Sequence, residues 1–299
     1  MTAPQPPVDP PTGPPGGTAE LAGRTVARVG FGVMQLHYTT AGRDAVLGLL
    51  REAVDLGVNH LDTAHFYGPC NEFIHAALAP YPDDLVLVGK VGADDSGGRL
   101  AAAQRPEQLR AQVEANLSVL GVERLDVVNL RRADAPPGLI AEGDQKVDLD
   151  SQLAELSALR DAGKIGGIGL SNVSADQLRQ ALPAGVVCVQ NDYGVLERAA
   201  EPVLALCREH DIAWVPFCPL GSRFPGRPKA TGHPEVVAVA EELGRTPAQV
   251  ALAWLLAVYD RTLLIAGTAD PAHLRENVAA GSLRLSARNV ARLDRVRPV

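Results

Sequence analysis

Three side chains suited to proton transfer stand at the ends of apolar runs in the first third of the sequence. Asp62 follows the residues NHL, Lys90 lies within the run LVLVGKVG, and Tyr67 stands five residues beyond Asp62. If the two runs are neighbouring strands, the carboxylate and the ammonium meet at their ends, where burial strengthens their attraction. An ammonium beside a phenol lowers the pKa of the phenol, which suits a proton donor in carbonyl reduction. On position alone, a structural salt bridge beneath a loop tyrosine explains these residues equally well.

Polar or aromatic residues also stand at the ends of later apolar runs. Arg131 follows VVNL, and Phe217 ends WVPF. Ser171 and Asn172 follow GIGL, and Gln190 follows VVCV. Because the carboxyl ends of parallel strands share one edge of a sheet or one mouth of a barrel, we expect these side chains to line a common site.

Apolar runs and segments with helical spacing alternate along the chain as eight successive β-then-α units. Near-continuous apolar strands indicate a parallel sheet covered on both faces, and eight repeats are the number that closes a barrel. The sequence therefore predicts an α/β protein of the (β/α)8 TIM barrel type with a short N-terminal hairpin. An open doubly wound sheet is the alternative, but its G-x-G-x-x-G fingerprint is absent after the first strand. The predicted strands are 26–32, 59–62, 85–91, 125–130, 165–170, 186–190, 212–217 and 262–266. The predicted helices are 43–56, 71–78, 106–120, 151–162, 175–181, 202–210, 235–243, 247–257 and 272–279.

Composition sets the domain organisation and the class of partner. Residues 1–17 contain seven prolines and three glycines, which predicts a disordered tail before one domain spanning 18–299. With 46% hydrophobic and 21% charged residues, the rest can bury a substantial core. The net charge of −7 argues against nucleic acid or an anionic membrane surface as a partner. The longest apolar run, 250–259, is far shorter than the ~20 residues that cross a bilayer.

The cysteines indicate a reducing compartment. They form no C-x-x-C pair, and three of them lie in or beside apolar stretches, as buried thiols do. The N-terminus shows no secretory signal pattern, so a cytoplasmic protein is predicted. The four cysteines are Cys70, Cys188, Cys207 and Cys218.

Two histidines flank Asp62 in the segment HLDTAH and raise the question of a metal. His60 and Asp62 share one face of a strand, but no further ligand follows at a suitable spacing, and His65 lies in the next loop. No metal site is predicted.

Six segments of the chain resemble the aldo-keto reductase family. They occur in order and span roughly residues 25–296. The resemblance implies an (α/β)8 barrel that uses NADPH to reduce aldehydes and ketones, with a small carbonyl compound as substrate. It also implies that Tyr67 is the proton donor, supported by Lys90 and Asp62. The segments are GVNHLDTAHFYG (57–68), LVLVGKVG (85–92), GKIGGIGLSN (163–172), VCVQNDYG (187–194), VPFCPLG (215–221) and HLRENVAA (273–280).

One catalytic position departs from the family pattern. Arg131 stands where the family has a histidine at the end of the fourth strand, and arginine stays protonated and can only donate. Four roles remain open for Arg131. It could hold the substrate carbonyl, pair with an anionic group of the substrate, stabilise tyrosinate, or bridge to a nearby carboxylate. The segment DVVNLR resembles a subgroup that includes bacterial pyridoxal reductases, which implies a pyridoxal-like or other small carbonyl substrate.

The resemblance also assigns a cofactor-binding face. Ser171, Asn172 and Gln190 match residues that hydrogen-bond the nicotinamide carboxamide, and Phe217 matches the aromatic residue that stacks on the ring. Several family members carry lysine and arginine around the 2′-phosphate where this chain has glycine and histidine, so NADH is an alternative to NADPH. The cofactor positions are Gly32, Met34, Asp62, Ser171, Asn172, Gln190, Phe217, Pro219, Leu220, Gly221, Ser222, Gly267, Thr268, His273, Glu276 and Asn277.

Two other functions remain in view. One is a tailoring ketoreductase of secondary metabolism acting on a sugar ketone or a polyketide. The other is a nucleotide-binding regulatory protein with weakened catalysis, which the missing histidine favours. Retention of Asp62, Tyr67 and Lys90 argues against this second function, because a protein that only binds has no need of a tuned acid.

Overall fold

The computed structural model of the chain describes residues 13–95, 99–135, 138–221 and 228–297. The strands in these ranges are β1 (Thr18–Leu21), β2 (Arg24–Ala27), β3 (Phe31–Gly32), β4 (His60–Asp62), β5 (Val86–Val91), β6 (Ala93–Asp95), β7 (Leu100–Ala102), β8 (Leu125–Arg131), β9 (Ile165–Ser171), β10 (Val186–Gln190) and β11 (Ala213–Trp214). Seven of them form one curled parallel sheet in the order β11-β10-β9-β8-β5-β4-β3. The pairs β1–β2 and β6–β7 are antiparallel hairpins. The predicted α/β class and the N-terminal hairpin are confirmed.

The helices begin and end where the sequence marks them. Thr246 accepts a hydrogen bond from the backbone of Gln249 and Ser174 from that of Gln177, and each glutamine bonds back to its cap. Gly121, with φ of 66°, ends the helix before it in the left-handed conformation. The helices are α1 (Arg43–Asp55), α2 (Cys70–Leu78), α3 (Pro106–Leu120), α4 (Leu149–Asp161), α5 (Ala175–Ala181), α6 (Glu201–Glu209), α7 (Pro234–Leu243), α8 (Pro247–Val258), α9 (Pro271–Ala279) and α10 (Ala287–Asp294). The 3₁₀ helices are Val33–Tyr38, Gly143–Gln145, Leu182–Ala184, Ala230–Gly232 and Ala280–Ser282.

The apolar core has two layers. The outer layer packs the helices onto the sheet, and the inner layer lies on the concave side of the sheet. The β1–β2 hairpin adds Leu21 and Val26 to the inner layer, and Asn59 Oδ1 accepts a hydrogen bond of 2.8 Å from the backbone of Ala27. Because Asn59 precedes β4, the hairpin lies at the amino ends of the strands. The carboxyl ends are thereby left as the open edge. The inner layer also includes Val86, Val88, Val127, Cys188, Ala213, Val215, Leu263 and Ile265.

Each predicted helix is present, with ends shifted by at most two residues. The first predicted strand, 26–32, is wrong as one element, because residues up to Ala27 pair with β1 while Phe31 and Gly32 pair with β4. The last predicted strand, 262–266, is reduced to single residue pairs that Thr262 and Leu264 make with their neighbours. The β6–β7 hairpin and α10 were not predicted.

The predicted disordered tail is wrong for its last five residues. Pro15 and Gly16 are buried, and the carbonyl of Pro15 accepts a hydrogen bond of 3.0 Å from the backbone of Val29. Residues 1–12 lie outside the described ranges. None of the described helices is long and apolar enough to cross a membrane.

Candidate active site

Asp62, Tyr67 and Lys90 meet at the carboxyl edge of the sheet. Asp62 ends β4, and Lys90 lies near the end of β5, the strand paired with β4. Lys90 Nζ lies 3.1 Å from Asp62 Oδ1 and 3.1 Å from Tyr67 Oη. Asp62 is only 3% exposed and Lys90 only 5%, so the ion pair is almost completely removed from solvent. The predicted convergence of these three groups is confirmed, and their chemical roles stay predictions.

The second oxygen of Asp62 is also engaged. Gln190, at the end of β10, donates from Nε2 to Asp62 Oδ2 over 2.6 Å. The ammonium of Lys90 and this amide therefore bind different oxygens and fix the carboxylate in one orientation. This contact was not predicted, because it joins β4 and β10, which are separated by three strands in the sheet.

Burial dominates the protonation of the tyrosine. It raises the pKa of Tyr67, while the charges of Lys90 and Arg131 oppose the rise and that of Asp62 adds to it. The predicted lowering by lysine is present as one contribution, but burial outweighs it, and the net shift of the pKa of Tyr67 is upward. Burial also lowers the pKa of Lys90, but Asp62 and Tyr67 together outweigh it and the pKa is raised. At neutral pH the site thus holds a phenol that carries its proton beside a charged ammonium.

Arg131 occupies the end of β8, in register with Ser171 at the end of β9. A Cβ on Gly138 would lie 2.4 Å from Arg131 Nη2, so the guanidinium packs directly over this glycine. Burial lowers the pKa of Arg131, whereas Tyr67 and Cys218 oppose the change. Arginine keeps its charge at neutral pH in such surroundings. The charge of Arg131 therefore acts on Tyr67 beside that of Lys90 and favours a lower pKa of the phenol.

An apolar patch borders Tyr67. The rings of Phe66 and Tyr67 meet edge to face with centroids 5.0 Å apart. Ala64, Ala93 and Leu139 join them in one small cluster in which Phe66 is 6% exposed. Such a wall keeps water from one side of the phenol and suits an apolar or aromatic part of a ligand.

The residues predicted to hold a carboxamide lie together on the strands beyond Asp62, Tyr67 and Lys90. Ser171 and Gln190 are neighbours in register and are buried. Ser171 Oγ and Gln190 Oε1 have no hydrogen-bond partner among the described residues. Asn172 has a left-handed φ of 59°, and its side chain donates to the carbonyl of Ala135 over 2.8 Å. These two buried polar atoms could form hydrogen bonds with a ligand, and they fit a nicotinamide carboxamide.

The predicted loop after β11 is only partly described. Phe217 is half-buried, and its backbone donates to the carbonyl of Asn191 over 3.0 Å. Gly221 is exposed, with φ of 97°, and a Cβ there would lie 2.6 Å from the carbonyl of Pro228. Ser222 lies outside the described residues. Pro219 and Leu220, which separate Phe217 from Gly221, are half-buried.

The predicted phosphate end forms an open cleft of ≈ 490 Å³. Gly267 stands where lysine is common in the family, and a Cβ there would lie 2.3 Å from the carbonyl of Gly32. This close approach excludes a lysine unless the backbone moves. His273 is exposed on α9, and Arg275 on the same helix is bound to Glu52. The cleft is lined by Gln35, Tyr38, Thr39, Gly267, Thr268 and Ala269.

The remaining predicted cofactor positions do not belong to the lining of this cleft. Gly32 is buried at the end of β3, and Met34 is half-buried in the 3₁₀ helix that follows. Glu276 accepts a hydrogen bond from Thr246, so its carboxylate already serves the start of α8. Asn277 is 7% exposed.

The cleft also has lining residues that were not predicted. Gln35, Tyr38 and Thr39 follow β3 directly, and loops after the carboxyl ends of strands are where such folds bind ligands. Applied to the first strand, this rule on loops after strand ends could have identified these three residues from the sequence.

Comparison with known proteins assigns the chain to a family. A sequence model of the aldo/keto reductase family matches residues 28–298, so the chain belongs to this family. The family resemblance drawn from the motifs is confirmed.

Individual relatives are similar over almost the whole chain. Pyridoxine 4-dehydrogenase of Escherichia coli (strain K12) is 41% identical over 286 residues, which cover 93% of this chain and 97% of that protein. The uncharacterized oxidoreductase C215.11c of Schizosaccharomyces pombe is 32% identical over 289 residues, covering 93% of this chain and 89% of that protein. A crystal structure of an aldo-keto reductase from Klebsiella pneumoniae in complex with NADPH matches with a TM-score of 0.77 at 25% identity, covering 93% of this chain and 94% of that one.

Proposed function

We propose that the protein is an NADPH-dependent oxidoreductase that reduces an aldehyde or ketone to an alcohol, with Tyr67 as the proton donor. The observation that carries the proposal is the contact of one buried ammonium, Lys90 Nζ, with both Asp62 and Tyr67 Oη. This arrangement lies at the open edge of the sheet, next to buried polar atoms that fit a nicotinamide carboxamide. The Klebsiella pneumoniae structure was solved with NADPH, which supports the choice of cofactor.

In the proposed reaction the chain supplies the proton and its control. Tyr67 Oη carries the proton at neutral pH and transfers it to the carbonyl oxygen of the substrate. As the proton leaves, Lys90 stabilises the phenolate, and Asp62 keeps Lys90 charged and oriented. Arg131 adds a second positive charge near the oxygen that is being protonated. A bound nicotinamide would supply the hydride to the carbonyl carbon.

The polar residues beyond the trio would orient the cofactor. Ser171 Oγ and Gln190 Oε1 are the buried atoms suited to bind the carboxamide, and Asn172 stands beside them. Phe217 would stack on the nicotinamide ring, because a phenyl ring offers the same apolar face as a tyrosine. NADH is the alternative cofactor, because the phosphate end lacks the usual lysine.

The proposed substrate is pyridoxal or a similar small aldehyde. The sequence identity of 41% with the pyridoxine 4-dehydrogenase of Escherichia coli supports this choice of substrate. The apolar wall of Phe66 and Leu139 suits an aromatic ring beside Tyr67, and Arg131 suits a polar or anionic substituent. A tailoring ketoreductase would share the trio and differ in the loops around it.

The fold proposed for this reaction is one closed eight-fold barrel. Trp214 of β11 pairs in parallel with Thr262, and Leu264 pairs in parallel with Val29 just before β3. These single pairs lie between the two edge strands of the seven-stranded sheet and support its closure through an eighth, irregular strand.

The proposal is tested with Tyr67→Phe, assayed by NADPH oxidation with pyridoxal and a panel of small aldehydes and ketones. We expect kcat to fall by ~10²–10⁴-fold, because the proton donor is lost, while the Kd for NADPH stays within about twofold. Tyr81→Phe is the matched control. The hydroxyl of Tyr81 donates a hydrogen bond of 2.6 Å to the carbonyl of Leu120, which lies away from the site. Equal turnover in wild type and Tyr67→Phe would remove the mechanism. Binding of NADPH without turnover of any substrate would favour the regulatory protein.

A further inference from the structure

A buried glutamine joins the ends of the two strands that carry the cations of the site. Gln104 follows β7, is 1% exposed, and donates from Nε2 to two backbone carbonyls. The acceptors are the oxygen of Gly92, at 2.5 Å, and the oxygen of Arg131, at 2.8 Å. Gly92 stands two residues beyond Lys90. One amide thus ties the end of β5 to the end of β8.

Gln104 is itself held in one orientation. Its backbone nitrogen donates to Gln145 Oε1 over 2.7 Å. Gln152 Nε2 donates to the backbone oxygen of Gln104 over 2.6 Å and to its Oε1 over 3.0 Å. Because Oε1 accepts from Gln152, the nitrogen is the end that faces the two carbonyls, as two acceptors require. Every polar group of this residue is used.

The two strand ends approach each other closely at this point. Gly92 has φ of 102°, and a Cβ on it would lie 2.4 Å from the oxygen of Arg131 and 2.8 Å from Gln104 Nε2. Regular pairing of β5 with β8 ends one residue earlier, at Val91 and Leu130. The carbonyl of Gly92 also accepts a hydrogen bond of 3.2 Å from the backbone of Ala103, so the bond that Gln104 gives to Arg131 is the one that links the two strand ends.

The tie matters because both strand ends carry positive charge toward Tyr67. The pairing of β8 with β5 ends at Leu130, although Arg131 still pairs with Ser171 of β9 on its other side. On the side of β5, the hydrogen bond from Gln104 takes over at Arg131. We infer that Gln104 is a positioning residue, which holds the backbone of Arg131 so that its guanidinium keeps a fixed place relative to Tyr67 Oη. The inference deepens the proposed function and rests on it.

The test is Gln104→Met, which keeps the length of the side chain and removes both donated hydrogen bonds. We expect kcat for pyridoxal reduction to fall by about 10- to 100-fold, since a misplacement of about 1 Å costs on the order of 10²-fold. The KM for NADPH should change by less than about twofold, because the carboxamide residues are untouched. A kcat within about twofold of wild type would overturn the inference.

Asn59→Leu is the matched control for a merely structural loss. Asn59 also bonds two backbone groups, those of Ala27 and Thr25, but at the opposite end of the strands. We expect a similar fall in thermal midpoint in both variants, with kcat preserved in Asn59→Leu. A kcat loss as large in Asn59→Leu as in Gln104→Met would overturn the inference, because instability alone would then explain both.

A double-mutant cycle asks whether Gln104 acts through Arg131. In the Arg131→Met background, Gln104→Met should lower kcat by less than about threefold, since nothing remains to position. Equal losses in both backgrounds would overturn the inference. The proposed function fails separately, through an unchanged kcat in Tyr67→Phe.

Discussion

Asp62, Lys90 and Gln190 form a buried set of side chains bonded to one another, whereas the cleft that holds Gly267 and Thr268 is open to solvent. The first region completes its polar contacts within the protein, apart from Gln190 Oε1, which has no hydrogen-bond partner among the described residues. Beside the second, Arg275 on α9 is bound to Glu52.

The difference indicates what each region is built to do. Charges held in a water-poor site with fixed partners need no rearrangement when a proton moves, and this preorganisation is the usual source of catalytic effect. An exposed arginine with a carboxylate partner contributes little on its own and can exchange partners. Under the proposed function, the protein therefore fixes the catalytic end closely, and the preference between NADPH and NADH would depend on weak, exchangeable contacts.

The largest effect is expected from Lys90→Met. It removes the cation that stabilises phenolate and leaves Asp62 buried with one oxygen unpaired. We expect kcat to fall by ~10³-fold or more and the free energy of unfolding to drop by about 3–5 kcal/mol. Pyridoxal reduction and urea unfolding measure these changes. Lys164→Met, which breaks an exposed pair with Glu114, is the control and should change stability by less than about 1 kcal/mol. A normal kcat in Lys90→Met would contradict the view that the buried region, and not the open cleft, controls the reaction.

The sequence predicted the catalytic end better than the rest of the site, and the reason is topological. Asp62 and Lys90 end consecutive apolar strands, and consecutive strands of a parallel α/β sheet are neighbours, so their meeting follows from order alone. The bond from Gln190 to Asp62 and the tie made by Gln104 depend on residues distant in the chain, for which no local pattern exists. The net rise in the pKa of Tyr67 was missed because burial can be judged only when all surrounding elements are placed.

The fold was predicted to a similar extent. Helices were found from spacing, proline and glycine, which are local signals, whereas the division of the first strand was not. Val26 and Phe31 read as one apolar run, yet they pair with different partners at opposite ends of the core. The last predicted strand is likewise reduced to one residue pair made by Thr262 and one made by Leu264, and no short window of sequence predicts that reduction.

A second prediction concerns pH and the depth of burial beneath the catalytic end. His60 is buried below Asp62, and burial lowers its pKa to about 4. The unfolded chain takes up this proton near pH 6.5 and the folded chain only near pH 4, so stability is complete above pH 6.5 and is lost as pH falls toward 4. We expect His60 to account for about 2 kcal/mol of the loss between pH 7 and pH 5.

Urea unfolding at both pH values, in wild type and in His60→Leu, measures this contribution. The variant should lose less stability than wild type on acidification, whereas His210→Leu, at an exposed position, should follow wild type. An unchanged pH dependence in His60→Leu would show that the ring is not isolated from water, and the buried end would then be less dry than the structure indicates.

The smallest effect is expected at the open end, from Glu52→Gln. This change frees Arg275, which is 62% exposed at its side chain, to turn toward a 2′-phosphate bound near Thr268. We expect kcat/KM for NADPH to rise about two- to fivefold relative to that for NADH, which corresponds to the free energy of one exposed ion pair. The gain should shrink at high salt, because salt screens exposed charges. Steady-state assays with both cofactors at two ionic strengths measure it, and Asp176→Asn, which breaks the exposed pair with Arg179, is the control. If the ratio does not move, Arg275 takes no part in phosphate binding, and the preference must come from Thr268 and the backbone of the cleft.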